Sequence, residues 1–282
     1  MPLGLGQAIT ASDISGNVAV EKSGGRVSFS NQYSADLDGV NDKVTYSLNF
    51  WQTLLGSNSF SLSYWVKHAD VFRDNNSNPS NGIQNSIGFS NGQLESFQLG
   101  LVYGPDHSNS AYRNRINFQT LDAGGQATPF NTFSTDLSSI LSDDTWYHVV
   151  YTSAAGPSSR TGKIYINGVD RTGTDTSNAL DVSGVSPGVG AIGTRTVFGN
   201  DSEFTEMNID DLSVYNTVLS SSDVTAIYNS GAPTDESSRS GLIGYWRFGD
   251  GDTITGTTVL DQSTNSNNFT LVGSTFKKDV PS

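Results

Sequence analysis

The stretch DTWYHVVYTS at 144–153, followed after a polar connection by GKIYINGVD at 162–170, decides the class of fold. Apolar residues alternate with polar ones in both segments, which is the period of a β-strand that buries one face. The second segment contains Asn167-Gly168, a dipeptide typical of two-residue hairpin turns. Together they predict adjacent antiparallel strands.

The same signals recur along the chain. FSLSYWVKHA at 60–69 predicts a strand in which Phe60, Leu62, Tyr64 and Val66 share one face and Trp65 lies on the other. Short apolar runs between polar turns predict further strands at NSIGFS, SFQLGLVYG, NRINFQT, VGAIGTR and MNIDDLSVYN. The segments 104–114 and 122–136 are expected to be long loops, where binding sites tend to lie.

One segment predicts a helix. In LSSSDVTAIYNSGAP, Ser220 can cap the helix together with Asp223. An apolar face and then stop signals follow: Val224, Ile227 and Tyr228, then Gly231 and Pro233. One short helix among many strands indicates an all-β protein.

Composition excludes several classes of function. The chain has 282 residues, 15 Lys and Arg, and 28 Asp and Glu, giving a net charge of −13. An acidic surface repels phosphate backbones, so nucleic acid is not an expected partner, whereas calcium is compatible with carboxylates. The absence of cysteine excludes disulfides and zinc–thiolate sites. No apolar run reaches the ~20 residues of a membrane-spanning helix.

Four stretches, in order over about 35–231, carry a family resemblance: ADLDGVNDKV, FSLSYWVK, DTWYHVVYTS…GKIYINGVD, and IGTR…IDDLSVYNTVLSSSDVTAIYNSG. The set resembles the laminin G-like jelly rolls of the concanavalin A-like lectin and glucanase superfamily. The resemblance implies an antiparallel two-sheet jelly-roll sandwich with one short helix.

The segment GLIGYWRFGDGD at 241–252, with NNFTLVG after it, is similar to what usually opens such a domain. Its displacement to 242–272 predicts a circular permutation. We expect an N-terminal arm at 1–30, the sandwich at 31–276 and a tail at 277–282. The displaced strands either fold back on their own sandwich, which the short connection GAPTDESSRSG favours, or complete a neighbour's sandwich in a homo-oligomer.

A second resemblance involves the start MPLGLG, the helix end YNSGAP and the terminal YWRFGDGDT…KKDVPS. These stretches look like jelly-roll proteins of marine phages, often cyanophages. The resemblance implies a non-catalytic virion structural protein, either a capsid decoration or a fibre component. Such a protein would lie on the virion surface, outside cells, and contact other virion proteins.

The alternative function is a carbohydrate-binding lectin module for adsorption to a cell-surface glycan. Sugar binding requires an aromatic platform flanked by amides and charged groups. The candidate glycan-binding residues on or beside loop 104–114 are Tyr103, Asp106, His107, Asn109, Tyr112 and Arg113. Trp51 is a further candidate.

Calcium is a possible cofactor. Asp38 and Asp42 lie in ADLDGVND, and Asp210-Asp211 lies in a strand, where one of the two carboxylates faces an apolar layer. The four Asp residues are therefore candidate metal ligands. Equally, DGVND can be a plain turn, and Asp210 or Asp211 can accept backbone N–H bonds.

A glycoside hydrolase is the third function considered. Retaining hydrolysis needs two carboxyl groups ~5–5.5 Å apart. In SEFTEMNIDD, Glu203 and Glu206 are three residues apart and would face opposite ways in a strand. His148 lies within a predicted strand and is expected to be structural. The chain is therefore predicted not to be an enzyme.

Overall fold

The computed structural model describes residues 29–47, 59–73, 83–90, 95–121, 127–155, 160–175, 189–197, 200–252 and 256–282. Trp51 and most of the expected N-terminal arm lie outside these residues. Over the described ranges the chain is almost entirely β, with one α-helix. None of the helical structure in these ranges has the length and apolar character needed to cross a membrane.

The strands are β1 Ser34–Asp38, β2 Lys43–Ser47, β3 Phe60–His68, β4 Ile83–Ser90, β5 Glu95–Tyr103, β6 Arg115–Leu121, β7 Ala127–Ser134, β8 Trp146–Ala155, β9 Arg160–Ile166, β10 Val169–Asp170, β11 Thr172–Asp175, β12 Val189–Ile192, β13 Arg195–Val197, β14 Asn200–Ser202, β15 Glu206–Tyr215, β16 Leu242–Trp246, β17 Thr258–Val259, β18 Phe269–Val272 and β19 Thr275–Lys277. Helix α1 spans Ser221–Tyr228, and a 3₁₀ turn follows at Asn229–Gly231.

Two antiparallel sheets form the sandwich, as predicted. The eight-stranded sheet has the order β10-β9-β8-β3-β15-β1-β19, with β16 also paired to β15. The nine-stranded sheet has the order β11-β7-β6-β5-β4-β12-β2-β18-β17. Strands β13 and β14 form a small third sheet of two strands, which the sequence did not predict.

The core lies between the two sheets and follows strict alternation. Phe60, Leu62, Tyr64 and Val66 of β3 are buried in it, while Trp65 faces the opposite side, where it packs against Tyr228. The nine-stranded sheet contributes a matching apolar face: Val44, Tyr46, Ile87, Val102, Ile116, Phe118, Ile192, Phe269 and Leu271. The period of two read from the sequence therefore determined which side chains fill the core.

The outer face of the eight-stranded sheet is covered by helix α1. Val224 and Ile227 of the helix pack with Val150, Tyr165 and Tyr215 of the sheet. The predicted capping box is present, since the Ser220 side chain accepts from the Asp223 amide and the Asp223 carboxylate accepts from the Ser220 amide. This cap satisfies amides at the start of a short helix that tertiary packing holds in place.

Segment 242–272, which the sequence analysis interprets as displaced, pairs with strands of its own chain. Strand β16 lies against residues 212–215 of β15, and β18 lies against β2. Strand β1 occupies the same edge of β15 at residues 206–209, so β1 and β16 follow one another along this edge. A register shift interrupts β15 between Asp210 and Ser213, and Asp211 there has a φ of 43°.

Two segments differ from expectation in their local structure. The expected loop 122–136 includes strand β7, which pairs with β6 on one side and β11 on the other. Its sequence, ATPFNTFS, lacks a clean alternation, so strand pairing rather than pattern defines it. At the expected tail, Asp279 accepts a hydrogen bond from Trp146 Nε1 at 3.0 Å, and its carbonyl accepts one from Ser34 Oγ at 2.6 Å.

Candidate functional site

Loop 104–114 joins β5 to β6 and folds back over the outer face of the nine-stranded sheet. Tyr103, the last residue of β5, lies opposite Arg115 in β6. The Asn114 amide donates to the Tyr103 carbonyl at 3.0 Å, so the base of the loop is closed. The Tyr112 amide donates to Asn109 O at 3.0 Å, which forms a turn inside the loop. The six predicted residues therefore lie on or beside one compact loop.

An aromatic cluster supports this loop. The Tyr112 ring stacks on Phe133 of β7, with centroids 4.6 Å apart and planes 21° apart, and lies 5.5 Å from the Tyr103 ring. Tyr103 and Phe133 are buried, whereas Tyr112 is half-buried. Because Phe133 lay in a segment expected to be a loop, sequence reasoning missed it. Its outward position opposite Asn117 is set by the β6–β7 register.

His107 has a supporting role in the loop. It was predicted as a glycan contact, but it is only 9% exposed and its ring packs edge-on against Tyr103 at 4.9 Å. Its Nδ1 accepts from the Asn109 amide at 3.2 Å, and its carbonyl accepts from Arg113 Nε at 2.8 Å. His107 lies behind the tyrosines, where it is kept from solvent. We therefore interpret it as a residue that positions Tyr112.

The remaining predicted residues lie nearer to solvent. Asn109 is exposed, and its Oδ1 accepts from the Ala111 amide at 3.0 Å. Asp106 and Arg113 are half-buried. The loop thus presents an amide, a carboxylate and a guanidinium around a half-exposed tyrosine ring, a combination suited to a polyhydroxylated ligand with an apolar face.

Amide side chains extend from the aromatic cluster along the same sheet face. Asn117 Nδ2 donates to Asn131 Oδ1 at 2.6 Å and to the Thr132 carbonyl at 3.1 Å. Gln119 is opposite Asn131 in the register and is half-buried like it. The buried Asn117 Oδ1 has no hydrogen-bond partner. This face therefore carries polar groups next to the aromatic cluster, in contrast to the helix-covered outer face of the other sheet.

Asp38 and Asp42, two of the predicted metal ligands, belong to a turn. Asp38 Oδ1 accepts the amides of Val40, Asn41 and Asp42 at 2.8, 3.2 and 3.4 Å. The hydrogen bond from Val40 is the main cause that lowers the pKa of Asp38. Burial, followed by the negative charge of Asp38, raises the pKa of Asp42. Both carboxylates act as turn acceptors, as the plain-turn interpretation of DGVND expects.

Asp210 and Asp211, the other two, are buried at the irregularity in β15. Asp210 Oδ2 accepts from Asn31 Nδ2 at 2.9 Å, and its Oδ1 accepts from the Asp211 amide at 2.8 Å. Asp211 Oδ1 accepts from the Tyr245 hydroxyl at 2.6 Å and lies 3.7 Å from Arg247 Nε. Burial is the main cause that raises the pKa of both, and that of Asp211 rises to about 7.

The four carboxylates do not form one calcium site. Asp38 is opposite Glu206 in the β1–β15 register, so Asp210 is four residues further along the strand, about 13 Å at 3.3 Å per residue. Over the described ranges no three His, Cys, Asp or Glu side chains are grouped so as to hold a metal ion. Asp38 Oδ1, Asp42 Oδ2, both oxygens of Asp210 and Asp211 Oδ1 accept hydrogen bonds, while Asp211 Oδ2 has no hydrogen-bond partner among the described residues. These oxygens do not form one group that could hold a calcium ion, so calcium binding stays a sequence-based prediction.

The residues considered for catalysis are separated. Glu203 lies before β15 with a φ of 55°, and Glu206 is exposed on β15. His148 is fully buried, contacts Ser63 Oγ through Nε2 at 2.8 Å, and has its pKa lowered to about 3 by burial. It is structural, as predicted. The absence of enzymatic activity stays a prediction.

Comparison with known proteins agrees with the architecture. Residues 38–225 match the laminin G-type family model of the concanavalin A-like lectin/glucanases superfamily. No curated protein matches the chain. The solved structure of a putative carbohydrate-binding protein from Bacteroides ovatus is similar, with a TM-score of 0.61 and 17% identity. The similarity covers 90% of this chain and 62% of that one, so this chain spans less than two thirds of its relative.

A second structure, the CBM40 of the Ruminococcus gnavus IT-sialidase bound to α2,3-sialyllactose, has a TM-score of 0.46 and 12% identity, over 69% of this chain and 97% of that one. The family model covers well over half of the 282 residues and the described sheets have its sandwich architecture. The chain therefore belongs to the concanavalin A-like lectin/glucanase superfamily.

Proposed function

We propose that the protein is a non-catalytic carbohydrate-binding module whose site lies on loop 104–114 and the adjoining outer face of the nine-stranded sheet. The observation that carries this proposal is the half-exposed Tyr112 ring stacked on buried Phe133 beside polar side chains. The relative from Bacteroides ovatus, itself described as a putative carbohydrate-binding protein, is consistent with the proposal.

The platform is rigid, and this favours binding. Tyr112 packs against Phe133 and Tyr103, and the loop is held by internal hydrogen bonds of Asn109, His107 and Arg113. A side chain that is already ordered loses little conformational entropy when a ligand arrives. The exposed part of the Tyr112 ring can contact the C–H groups of a pyranose, an interaction that requires no rearrangement of the loop.

The polar groups around the platform match sugar hydroxyls. Asp106 and Asn109 supply acceptors, and Arg113 and Asn109 supply donors. Further amides lie along the sheet at Asn131 and Gln119, both half-buried. Their spread from the loop across β6 and β7 suits an oligosaccharide better than a single sugar, because successive residues of the ligand can each contact a polar group.

A glycan array with purified protein tests the proposal. Tyr112→Ala should abolish binding, and Tyr112→Phe should retain it because the ring and its stacking are kept. Tyr228→Ala is the matched control, since Tyr228 is also half-buried and stacked but lies on the other sheet, against Trp65 at 5.9 Å. Binding that survives Tyr112→Ala, or no binding by folded protein to any glycan, would refute the proposed site.

The resemblance to phage proteins supports a second proposal, that the domain is displayed on a virion as a decoration or fibre component and forms a homo-oligomer. Sugar binding and display are compatible, because a displayed lectin would contact host glycans. Mass spectrometry of purified particles should detect this polypeptide, and light scattering should show an oligomer. Particles that lack the polypeptide would refute the virion role and leave the sugar-binding proposal intact.

A further inference from the structure

Three arginines belong to segments beside the proposed platform. Arg113 ends the loop, Arg115 begins β6, and Arg171 connects β10 to β11. Arg115 Nη1 donates to the carbonyl of Ser134 at 2.8 Å, and the carbonyl of Arg171 accepts from the amide of Thr135, the next residue, at 2.7 Å. The side chain of Arg115 and the backbone of Arg171 are therefore both hydrogen-bonded to the end of β7, within two residues of Phe133.

The charges of these arginines are incompletely balanced by the protein. Within the described residues, none of the three forms an ion pair. The pKa of Asp136 is lowered mainly by its hydrogen bond from the Ser138 amide, and the charge of Arg115 makes a smaller contribution. Asp170, the neighbour of Arg171 in sequence, is paired with Lys163 at 3.0 Å. Arg171 Nε is buried and has no hydrogen-bond partner in the part of the chain that the structure describes. A buried guanidinium nitrogen without an acceptor is unfavourable unless a ligand supplies one.

We propose that Arg115 and Arg171 form a subsite for the anionic group of an acidic sugar, either a carboxylate or a sulfate. The inference rests on the proposed function and adds the class of ligand. Guanidinium groups bind such oxyanions through paired charge-assisted hydrogen bonds. The protein has a net charge of −13, so its overall electrostatic field does not attract anionic ligands. A preference for acidic sugars would therefore depend on local contacts with these arginines.

An array of matched glycan pairs tests the inference. Each uronic-acid, sialic-acid or sulfated glycan is printed beside its carboxyl-reduced or desulfated counterpart, and Kd is then measured for the best pair. We expect the acidic member to bind roughly tenfold more tightly or better, the effect of a charge-assisted hydrogen bond. Carboxylated and sulfated pairs show which oxyanion is preferred. Binding of the acidic member should weaken as salt is added.

Variants locate the subsite. Arg171→Gln and Arg115→Gln should each weaken binding of the acidic member by roughly ten- to a hundredfold, and Arg171→Lys should lose less because the charge is kept. Lys277→Gln is the control: it removes one exposed positive charge from the eight-stranded sheet, where Lys277 pairs with Asp36 at 3.4 Å. Circular dichroism and Tm confirm that each variant is folded, since Arg115 also binds the Ser134 carbonyl.

The outcomes separate the two proposals. Equal binding of both members of every pair, or unchanged binding of the acidic member by Arg171→Gln and Arg115→Gln, would overturn the anionic subsite while sugar binding stands. If folded protein binds no member of any pair, the proposed function itself fails, and the subsite with it. A preference for acidic members that is lost in both arginine variants would support the proposed function and the anionic subsite.

Discussion

Glu236 tests how the burial of a carboxyl group makes the stability of this fold depend on pH. It lies on the connection between α1 and β16, is 1% exposed, and its Oε2 accepts from Ser213 Oγ at 2.8 Å and from the Tyr215 hydroxyl. Burial, aided by the negative charge of Asp211, raises its pKa from 4.5 to about 7 against the opposing hydrogen bonds and Arg239. The perturbation is Glu236→Gln, a neutral side chain of the same shape.

The magnitude follows from linkage. Because the folded state holds the proton more tightly, the stability from this group is fully present below pH 4.5 and is lost as pH rises through about 7. A pKa difference of about 2.5 corresponds to a loss of about 2.5 kcal/mol between pH 5 and pH 8.5. Glu236→Gln should match the unsubstituted protein within about 1 kcal/mol at pH 5 and exceed it by about 2 kcal/mol at pH 8.5. This difference is a Tm increase of about 4–8 °C for a domain of this size.

Thermal unfolding of both proteins at half-unit steps from pH 5 to pH 8.5 measures this difference, and the titration of groups that do not interact with Glu236 cancels when the two curves are subtracted. Glu206→Gln, which removes the charge of an exposed carboxylate on β15, is the control for the loss of one negative charge. A difference between Glu236→Gln and the unsubstituted protein that stays constant over the range would refute the argument that burial holds Glu236 protonated.

Three further substitutions test the packing. Trp246→Ala removes a fully buried ring that stacks on Phe269 at 3.9 Å and should lower the free energy of unfolding by about 3–5 kcal/mol in urea, whereas a loss below 1 kcal/mol would show that the displaced strand is dispensable. Gly190→Ala would place a Cβ 1.9 Å from the Tyr46 ring and should cost about 1–3 kcal/mol, so an unchanged Tm would contradict this close approach. Asp38→Ala removes the acceptor of three backbone amides and should cost about 1–3 kcal/mol, equally in millimolar calcium and in chelator, and a loss seen only with calcium would identify a metal site.

The sequence predicted strands, a hairpin turn and the helix correctly where a single local pattern of residues defines the element. The alternation in 60–68 and 146–153 and the hairpin signal at Asn167-Gly168 are confirmed by β3, β8 and the β9–β10 turn, in which both turn residues have positive φ. The helix begins and ends where its cap and stop residues indicated. These features depend on residues within one turn or one strand, so the chain segment itself carries the information.

The candidate site could be predicted only in part. Tyr112 and its neighbours are adjacent in sequence, so their common loop was evident. Phe133 and Asn131 of β7 and Arg171, just before β11, are brought to the loop through the pairing of β5, β6, β7 and β11, a long-range register that no local pattern shows. The same pairing explains why His107 is a support: its ring fills the space behind tyrosines whose positions the sheet determines.

The sequence by itself determined an all-β protein, because alternation and turn residues act over a few positions, and the resemblance of four of its stretches indicated a sandwich of the lectin superfamily. Only the tertiary structure determined which polar groups lie close together and which of them are buried. Asp38 and Asp210 have the same side chain, but one accepts amides at an exposed turn and the other is buried beside Asp211. Burial and long-range pairing set the pKa, charge balance and accessibility of a carboxylate, and both arise from contacts between segments far apart in the chain.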